Sequence, residues 1–199
     1  MEIITDWIVK NYIEIIASVL GLWGVWLTTK QKIWCWPIGL LNVILSLYVF
    51  LVSKLYADVI LQIFYIVLTI YGWYNWLHGG EHKSVLRVSH VKKRDMLMLF
   101  IAGMISVVIT GFLFNTYTDA ALPYWDATVA VWGVIGTFVQ AKKYIENWII
   151  WIISDLLCTG IYVYKGLYAF TGLYFCFAIL AVYGYYSWKK DLEKAEVTA

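Results

Sequence analysis

Seven apolar segments, each about as long as a membrane-spanning helix, take up most of this 199-residue chain. A helix needs about 20 mainly apolar residues to cross the ~30 Å hydrocarbon core of a bilayer. Because 62% of the residues are hydrophobic and only 14% are charged, against about 25% charged in soluble domains, much of the apolar surface must face a lipid bilayer. The sequence therefore predicts an all-α integral membrane protein with seven transmembrane helices. They lie near residues 12–29, 34–52, 56–77, 96–115, 124–141, 146–164 and 167–188.

Basic residues predict how these helices are oriented. Loops on the cytoplasmic side of a membrane carry an excess of Lys and Arg. With the amino terminus outside, only Lys10, Lys54 and Lys165 lie on the outer side, and the other twelve of the fifteen Lys and Arg residues lie inside. We therefore predict an outer amino terminus and an inner carboxyl terminus (N-out/C-in). The net charge of +2 is too small to indicate binding of nucleic acid.

The two halves of the chain are related by a repeat with an offset of 112 residues. The alignment needs no gap and matches Gly, Trp and Tyr in order, which apolar composition alone does not explain. Each repeat has three helices, so the extra helix at 96–115 returns the second repeat to the direction of the first. The sequence therefore predicts a parallel 3+1+3 arrangement, known among transporters. The aligned residues include Gly21 with Gly133, Trp36 with Trp148, Trp76 with Trp188, and Leu55-Tyr56-Ala57 with Leu167-Tyr168-Ala169.

The chain divides into five predicted segments. Residues 1–11 mix charged with apolar residues and are expected to form an amphipathic lead-in at the membrane interface. The longest polar break, Gly79 to Asp95, separates the first repeat from the linker helix. The other segments are the first three-helix repeat at 12–78, the inner loop and linker helix at 79–121, the second three-helix repeat at 122–189, and a cytoplasmic tail at 190–199.

Polar side chains inside the apolar segments are the candidate ligand-binding residues, because polar groups in lipid are costly. Trp148, Trp151 and Asp155 share one face of a helix. No Lys or Arg lies at the depth of Asp155 in any segment, so a proton or a cationic ligand would supply its counter-charge. Since aromatic faces attract cations by ~0.5–2 kcal/mol, the site suits a flat, cationic aromatic molecule with polar groups. The candidate residues are Asn42, Gln62, Trp125, Asp126, Trp148, Trp151, Ser154 and Asp155.

Some of these residues have a simpler structural explanation. Asn42 and Ser154 are equally explained by hydrogen bonds between helices. Asp126 lies near a helix start, where an N-cap or helix-dipole role is the simpler interpretation. Trp148 lies at a depth where it could also belong to an aromatic belt at the membrane interface. Such belts are predicted to include Trp7, Trp76 and Trp188.

Two sets of motifs resemble the Pnu family of vitamin transporters over roughly residues 20–190. The first set is Trp34-Cys35-Trp36-Pro37-Ile38-Gly39, then Leu55-Tyr56-Ala57-Asp58 with Gln62, then Ile70-Tyr71-Gly72-Trp73. The second is Trp125-Asp126, then Glu146-Asn147-Trp148-Ile149-Ile150-Trp151 with Asp155, then Gly166-Leu167-Tyr168 and Tyr183-Gly184-Tyr185. The chain is most similar to the PnuC branch, whose members carry nicotinamide riboside. Related branches carry thiamine or riboflavin.

The resemblance implies uptake of nicotinamide riboside by facilitated diffusion, without ATP or a coupling ion. It also implies a multi-pass protein of the bacterial cytoplasmic (inner) membrane, with no cofactor and a functional link to a cytoplasmic kinase that traps the substrate. By the same resemblance, Trp148 and Trp151 lie at the nicotinamide ring, and Gln62, Asp155 and Asn42 supply polar contacts. A homo-oligomer is compatible with the sequence, which does not specify one.

The sequence is also compatible with other substrates and is less consistent with other classes of protein. Thiamine is also a flat cation, so the chemistry of the site alone does not separate it from nicotinamide riboside, whereas riboflavin is neutral and fits an acidic site less well. A SWEET-like sugar facilitator also uses parallel repeats, but it needs more prolines than Pro37 and Pro123, and a neutral sugar leaves Asp155 without a role. A membrane enzyme is not predicted: the cysteines lack the spacing of metal ligands, and although His78 and His82 are four residues apart, the intervening Gly79-Gly80 argues against a helical ligand pair.

Overall fold

The structure, a computed structural model, describes the backbone of residues 2–197 and the side chains of residues 12–13 and 15–194. Within this described part the chain forms seven α-helices and one 3-10 turn at Glu81–Lys83, with no strand. The predicted all-α class and the number of helices are confirmed. The helices are α1 (Glu2–Thr29), α2 (Cys35–Val52), α3 (Tyr56–His78), α4 (Lys93–Tyr117), α5 (Pro123–Ala141), α6 (Asn147–Tyr164) and α7 (Tyr168–Val197).

Length and composition make several of these helices candidate membrane spans. Among the described residues, α2, α3, α4, α6 and Tyr168–Lys194 of α7 are long and apolar enough to cross a membrane, and α1 adds a shorter apolar stretch, Ile15–Thr29. Large apolar side chains of α4, such as Val108 and Phe112, are exposed, as expected for a helix surrounded by lipid. The N-out/C-in orientation stays a prediction. So does the amphipathic lead-in, because the side chains of residues 1–11 lie outside the described residues.

The internal repeat is present in the helix boundaries. α2 and α6 begin at Cys35 and Asn147 and end at Val52 and Tyr164, so both boundaries are offset by 112 residues. The starts of α3 and α7 and the ends of α1 and α5 show the same offset. The predicted parallel repeat is therefore confirmed in the backbone. Left-handed φ angles recur at the same offset, at Gln31 and Lys143 and at Lys54 and Gly166.

The two repeats close into a ring of six helices. Within each repeat the consecutive helices pack together, α1 on α2 on α3 and α5 on α6 on α7. Between the repeats, α3 packs on α5 and α7 packs on α1, so the third helix of each repeat meets the first helix of the other. The linker helix α4 lies outside this ring and packs against α5. The interior of the ring is therefore bounded by both repeats.

Four tryptophans from both repeats meet at one end of this ring, and we call them the tryptophan cluster: Trp36, Trp76, Trp148 and Trp188. The Trp36–Trp76 and Trp148–Trp188 pairs are repeat-related, with ring centroids 5.3 Å apart in both and interplanar angles of 87° and 85°. Trp76 and Trp188 connect the pairs at 5.8 Å. In the predicted orientation the cluster lies at the inner end of the ring.

Hydrogen bonds cross between the repeats at this cluster. The indole Nε1 of Trp76 donates to the main-chain carbonyl of Gln140 at 3.0 Å. Its repeat equivalent, Trp188, donates to the carbonyl of Thr28, also at 3.0 Å. The assignment of Trp76 and Trp188 to interfacial belts is wrong, because their side chains are only 2% and 0% exposed. The third predicted belt residue, Trp7, lies outside the described side chains.

Lys143, in the connection between α5 and α6, is buried beside the tryptophan cluster. Its Nζ donates to the carbonyl of Leu86 at 2.8 Å and lies 4.7 Å from the centroid of the Trp76 ring. Burial lowers the pKa of the Lys143 ammonium from 10.5 to about 8. The buried charge is therefore costly at neutral pH, and the cost disappears as the group loses its proton.

This pKa makes a pH-dependent prediction for the variant Lys143→Met. Between about pH 8 and pH 10.5 the unfolded chain holds a proton on Lys143 that the folded chain has lost. The free energy of unfolding of the parent therefore increases as the pH rises through this range. Unfolding of parent and variant in detergent is measured at pH 7, 8, 9 and 10. The free energy of unfolding of the parent should increase relative to that of Lys143→Met as the pH rises. A difference between the two proteins that is the same at every pH would contradict the lowered pKa of Lys143.

Candidate substrate-binding site

A cavity of about 350 Å³ lies inside the ring of six helices. Its wall takes residues from α1, α2, α3, α5, α6 and α7, and Trp36 and Trp148 of the tryptophan cluster form part of it. Ligand cavities of this size are common in proteins, and their few polar groups fix the ligand's orientation. The aromatic side chains on the wall are Trp36, Tyr65, Trp148, Trp151, Tyr174 and Phe177.

Five of the residues predicted from the sequence line this cavity. Asn42 comes from α2, Gln62 from α3, and Trp148, Trp151 and Asp155 from α6. The spacing of three and four residues on α6 brings the last three to one face, as the sequence indicated. The structure thus brings these side chains together, and their role as ligand-binding residues stays a prediction.

Three other predicted residues are not brought to the cavity. Ser154 is buried but does not line it, because successive helix residues point about 100° apart and Asp155 takes the inward direction. Trp125 is 51% exposed in the first turn of α5. Asp126, in the same turn, forms an ion pair with Lys165 at 3.2 Å. Asp126 is not the N-cap of α5, which is Leu122, but its place in the first turn fits the helix-dipole role better than ligand contact.

Asp155 is the one charged residue among the described residues that line the cavity. The residue is only 6% exposed, and its main-chain carbonyl accepts a hydrogen bond from the Thr159 hydroxyl at 2.7 Å. Within the described part of the chain, no donor forms a hydrogen bond with its carboxylate. The carboxylate oxygens are not fully enclosed by protein atoms. The carboxylate therefore borders the cavity and is available to a ligand.

The two tryptophans of α6 have different surroundings. Trp148 is almost fully enclosed by the tryptophan cluster and lies against Gly184, where an added Cβ would come within 2.5 Å of its ring. Trp151 is partly exposed, and its Nε1 donates to Oε1 of Gln140 at 3.1 Å. Trp151 thus has more ring surface available to a ligand than Trp148 has. Its hydrogen bond to Gln140 of α5 fixes the orientation of its ring.

Several residues of the wall were not predicted from the sequence, including Tyr65, Gln140, Tyr174 and Phe177. The repeat offers a signal for two of them, since the offset of 112 relates Gln62 to Tyr174 and Tyr65 to Phe177. No such signal exists for Gln140, because it lies in the last turn of α5 close to Lys142 and Lys143, where a polar residue is ordinary. Within the described residues, no group of three or more His, Cys, Asp or Glu is arranged to hold a metal ion.

Comparison with known proteins agrees with this architecture. Residues 11–190 match the family model described as nicotinamide mononucleotide transporter. The nicotinamide riboside transporter PnuC of Escherichia coli (strain K12) is 27% identical over 203 residues, which cover 89% of this chain and 85% of that protein. The riboflavin/roseoflavin transporter RibM of Streptomyces davaonensis is 25% identical over 181 residues, which cover 88% and 83%.

A solved structure is also similar. The crystal structure of the vitamin B3 transporter PnuC matches with a TM-score of 0.75 and 21% identity, over 97% of this chain and 87% of that one. At this identity the match shows the fold. Two parallel three-helix repeats that close around a mainly apolar cavity with a few polar side chains are the architecture of a multi-pass membrane transporter. The chain belongs to the nicotinamide mononucleotide transporter family.

Proposed function

We propose that this protein carries nicotinamide riboside across the membrane by facilitated diffusion. The observation that carries the proposal is the carboxylate of Asp155, unpaired within the described residues on the wall of an aromatic cavity. Nicotinamide riboside has a positively charged pyridinium ring, which the carboxylate and the aromatic faces both attract. Its hydroxyl and amide groups match the amides of Asn42 and Gln62 on the same wall.

The charge of the cavity favours the nucleoside over the mononucleotide. Among the described lining residues there is no Lys or Arg to pair with a phosphate, and Asp155 would repel one. The same argument supports trapping: once a cytoplasmic kinase has added a phosphate, the product has no favourable site for return. Net uptake then depends on the kinase rather than on ATP or an ion gradient used by the carrier itself.

Riboflavin and thiamine are the second candidates. The similarity to RibM, a riboflavin/roseoflavin transporter, is nearly as high as that to PnuC. A neutral flavin, however, gives the charge of Asp155 no partner, and this favours a cationic substrate. Thiamine satisfies Asp155 as well as nicotinamide riboside does, and the similarity to PnuC favours the latter.

The tryptophan cluster supports an alternating mechanism in which it forms the inner gate. To open the cavity at that end, the indoles of Trp76 and Trp188 must leave the carbonyls of the opposite repeat. The buried Nε1 atoms of Trp36 and Trp148 have no hydrogen-bond partner in the described part of the chain, at a cost of roughly 1–3 kcal/mol each. The closed cluster is therefore less stable than a fully hydrogen-bonded one, which suits a gate that opens.

Binding titrations of the purified protein in detergent test the substrate. Nicotinamide riboside, its mononucleotide, thiamine and riboflavin are compared by isothermal titration calorimetry. We expect nicotinamide riboside to bind most tightly and the mononucleotide at least about tenfold more weakly. Tight binding of thiamine or riboflavin without a signal for nicotinamide riboside would overturn the proposed substrate.

A further inference from the structure

Gln140 connects the cavity wall to the tryptophan cluster. It lies in the last turn of α5 and lines the cavity. Its side-chain Oε1 accepts the Nε1 hydrogen of Trp151 at 3.1 Å. Its main-chain carbonyl accepts the Nε1 hydrogen of Trp76 at 3.0 Å. One residue therefore holds one indole of the proposed binding site and one of the proposed gate.

The bond to Trp151 determines which way the Gln140 amide faces. An indole nitrogen can only donate a hydrogen bond, so the amide must present its oxygen to Trp151. The amide nitrogen, Nε2, is then turned away from Trp151. Nε2 has no hydrogen-bond partner in the described residues, and it is not fully enclosed by protein atoms. Because Gln140 lines the cavity, this group offers its two N–H donors to a ligand there.

The corresponding position in the first repeat offers no such donor. The offset of 112 residues relates Gln140 to Thr28, which also lines the cavity. The Thr28 hydroxyl donates to the carbonyl of Gly24 in its own helix at 3.0 Å. At this pair of positions, the free amide donor is therefore present only in the second repeat, on the side of Trp151 and Asp155.

We propose that Gln140 determines specificity by donating a hydrogen bond from Nε2 to the carboxamide oxygen of the bound nicotinamide ring. The ring is expected to stack on Trp151, and Gln140 lies at the Nε1 edge of that indole. A substituent at the edge of the stacked ring is within reach of this amide. The choice of carboxamide rests on the proposed function, whereas the direction of the donor follows from the geometry of Gln140 and Trp151.

The variant Gln140→Glu tests the proposal, because Glu has the same length and can still accept from Trp151 but has no N–H to donate. Two ligands are titrated: nicotinamide riboside and the pyridinium riboside that lacks the carboxamide. Added negative charge affects both cations equally, so the readout is the ratio of their dissociation constants. We expect the parent to prefer nicotinamide riboside by roughly tenfold or more, and the variant to bind the two ligands within about threefold of each other.

Thr137→Val is the matched control. Thr137 lines the cavity one turn before Gln140, but its hydroxyl already donates to the carbonyl of Gly133 at 2.9 Å, so the ratio should equal that of the parent. A ratio in Gln140→Glu equal to that of the parent would overturn the role of Gln140 and leave the proposed substrate intact. Failure of the parent to bind nicotinamide riboside would overturn the proposed function and this assignment together. Thermal unfolding of each variant establishes that it is folded.

Discussion

Replacing Asp155 with Asn is expected to weaken the binding of nicotinamide riboside about 10- to 100-fold. The substitution keeps the size of the side chain and removes the one charge on the described wall of the cavity. Hydrogen bonds to charged groups contribute about 1.5–3 kcal/mol, and a contact of similar strength between the carboxylate and the pyridinium ring corresponds to this range of dissociation constants. Isothermal titration calorimetry in detergent measures the change. Asp155→Leu should bind no better than Asp155→Asn.

Asp126→Asn is the control for this experiment. Asp126 is also acidic, but it pairs with Lys165 away from the cavity, so its replacement should leave the dissociation constant within about twofold of the parent value. Equal binding by the parent and Asp155→Asn would show that the carboxylate does not recognise the pyridinium charge. A loss of affinity in Asp126→Asn as large as that in Asp155→Asn would place the recognised charge elsewhere.

The variant Gly184→Ala is expected to lower stability and to impair transport. A Cβ at Gly184 would lie 2.5 Å from Cη2 and Cζ2 of Trp148, so the indole must leave its place in the tryptophan cluster. Gly72 has the same relation to Trp36 in the first repeat. Overpacking of this kind costs about 1–3 kcal/mol. Thermal unfolding in detergent and uptake into proteoliposomes measure the two effects, and Gly72→Ala should behave similarly.

Gly160→Ala, in α6, provides the comparison for Gly184→Ala, which lies in α7. Among the described residues, no atom apart from the neighbouring backbone of its own helix lies within 4 Å of a Cβ at this position, so Ala should be neutral, or stabilising by up to about 1 kcal/mol through its higher helix propensity. If Gly184→Ala unfolds at the same temperature as Gly160→Ala, the close packing of Trp148 on Gly184 contributes little to the fold. If Gly184→Ala is destabilised but transports normally, the position of Trp148 does not govern gating.

Much of the fold could be predicted because lipid imposes a simple pattern on the sequence. Helix length and hydropathy identify the spans, and the 112-residue repeat accounts for their parallel arrangement. The burial of Trp76 and Trp188 was not predicted, because a tryptophan near the end of a span can face either the lipid interface or the helix bundle. The aligned glycines that contact Trp36 and Trp148 were a signal for burial, and hydropathy does not capture it.

The site could be predicted in part, for a similar reason. A carboxylate in the middle of an apolar helix is costly enough to imply a purpose, so Asp155 and its face of α6 stand out. Trp125 and Asp126 lie in the first turn of α5, where the sequence does not show whether a side chain turns toward the cavity or the surface. Gln140 becomes informative only through its bonds to Trp151 and Trp76, which are distant in sequence or on another helix.

Uptake of labelled nicotinamide riboside into proteoliposomes tests the central claim most directly. With no ATP and no ion gradient, the internal concentration should rise to the external concentration and stop there. With a nicotinamide riboside kinase and ATP enclosed, label should continue to accumulate as the phosphorylated product. No uptake beyond that of protein-free liposomes, or accumulation above the external concentration without the kinase, would contradict the account of this protein as a facilitator of nicotinamide riboside.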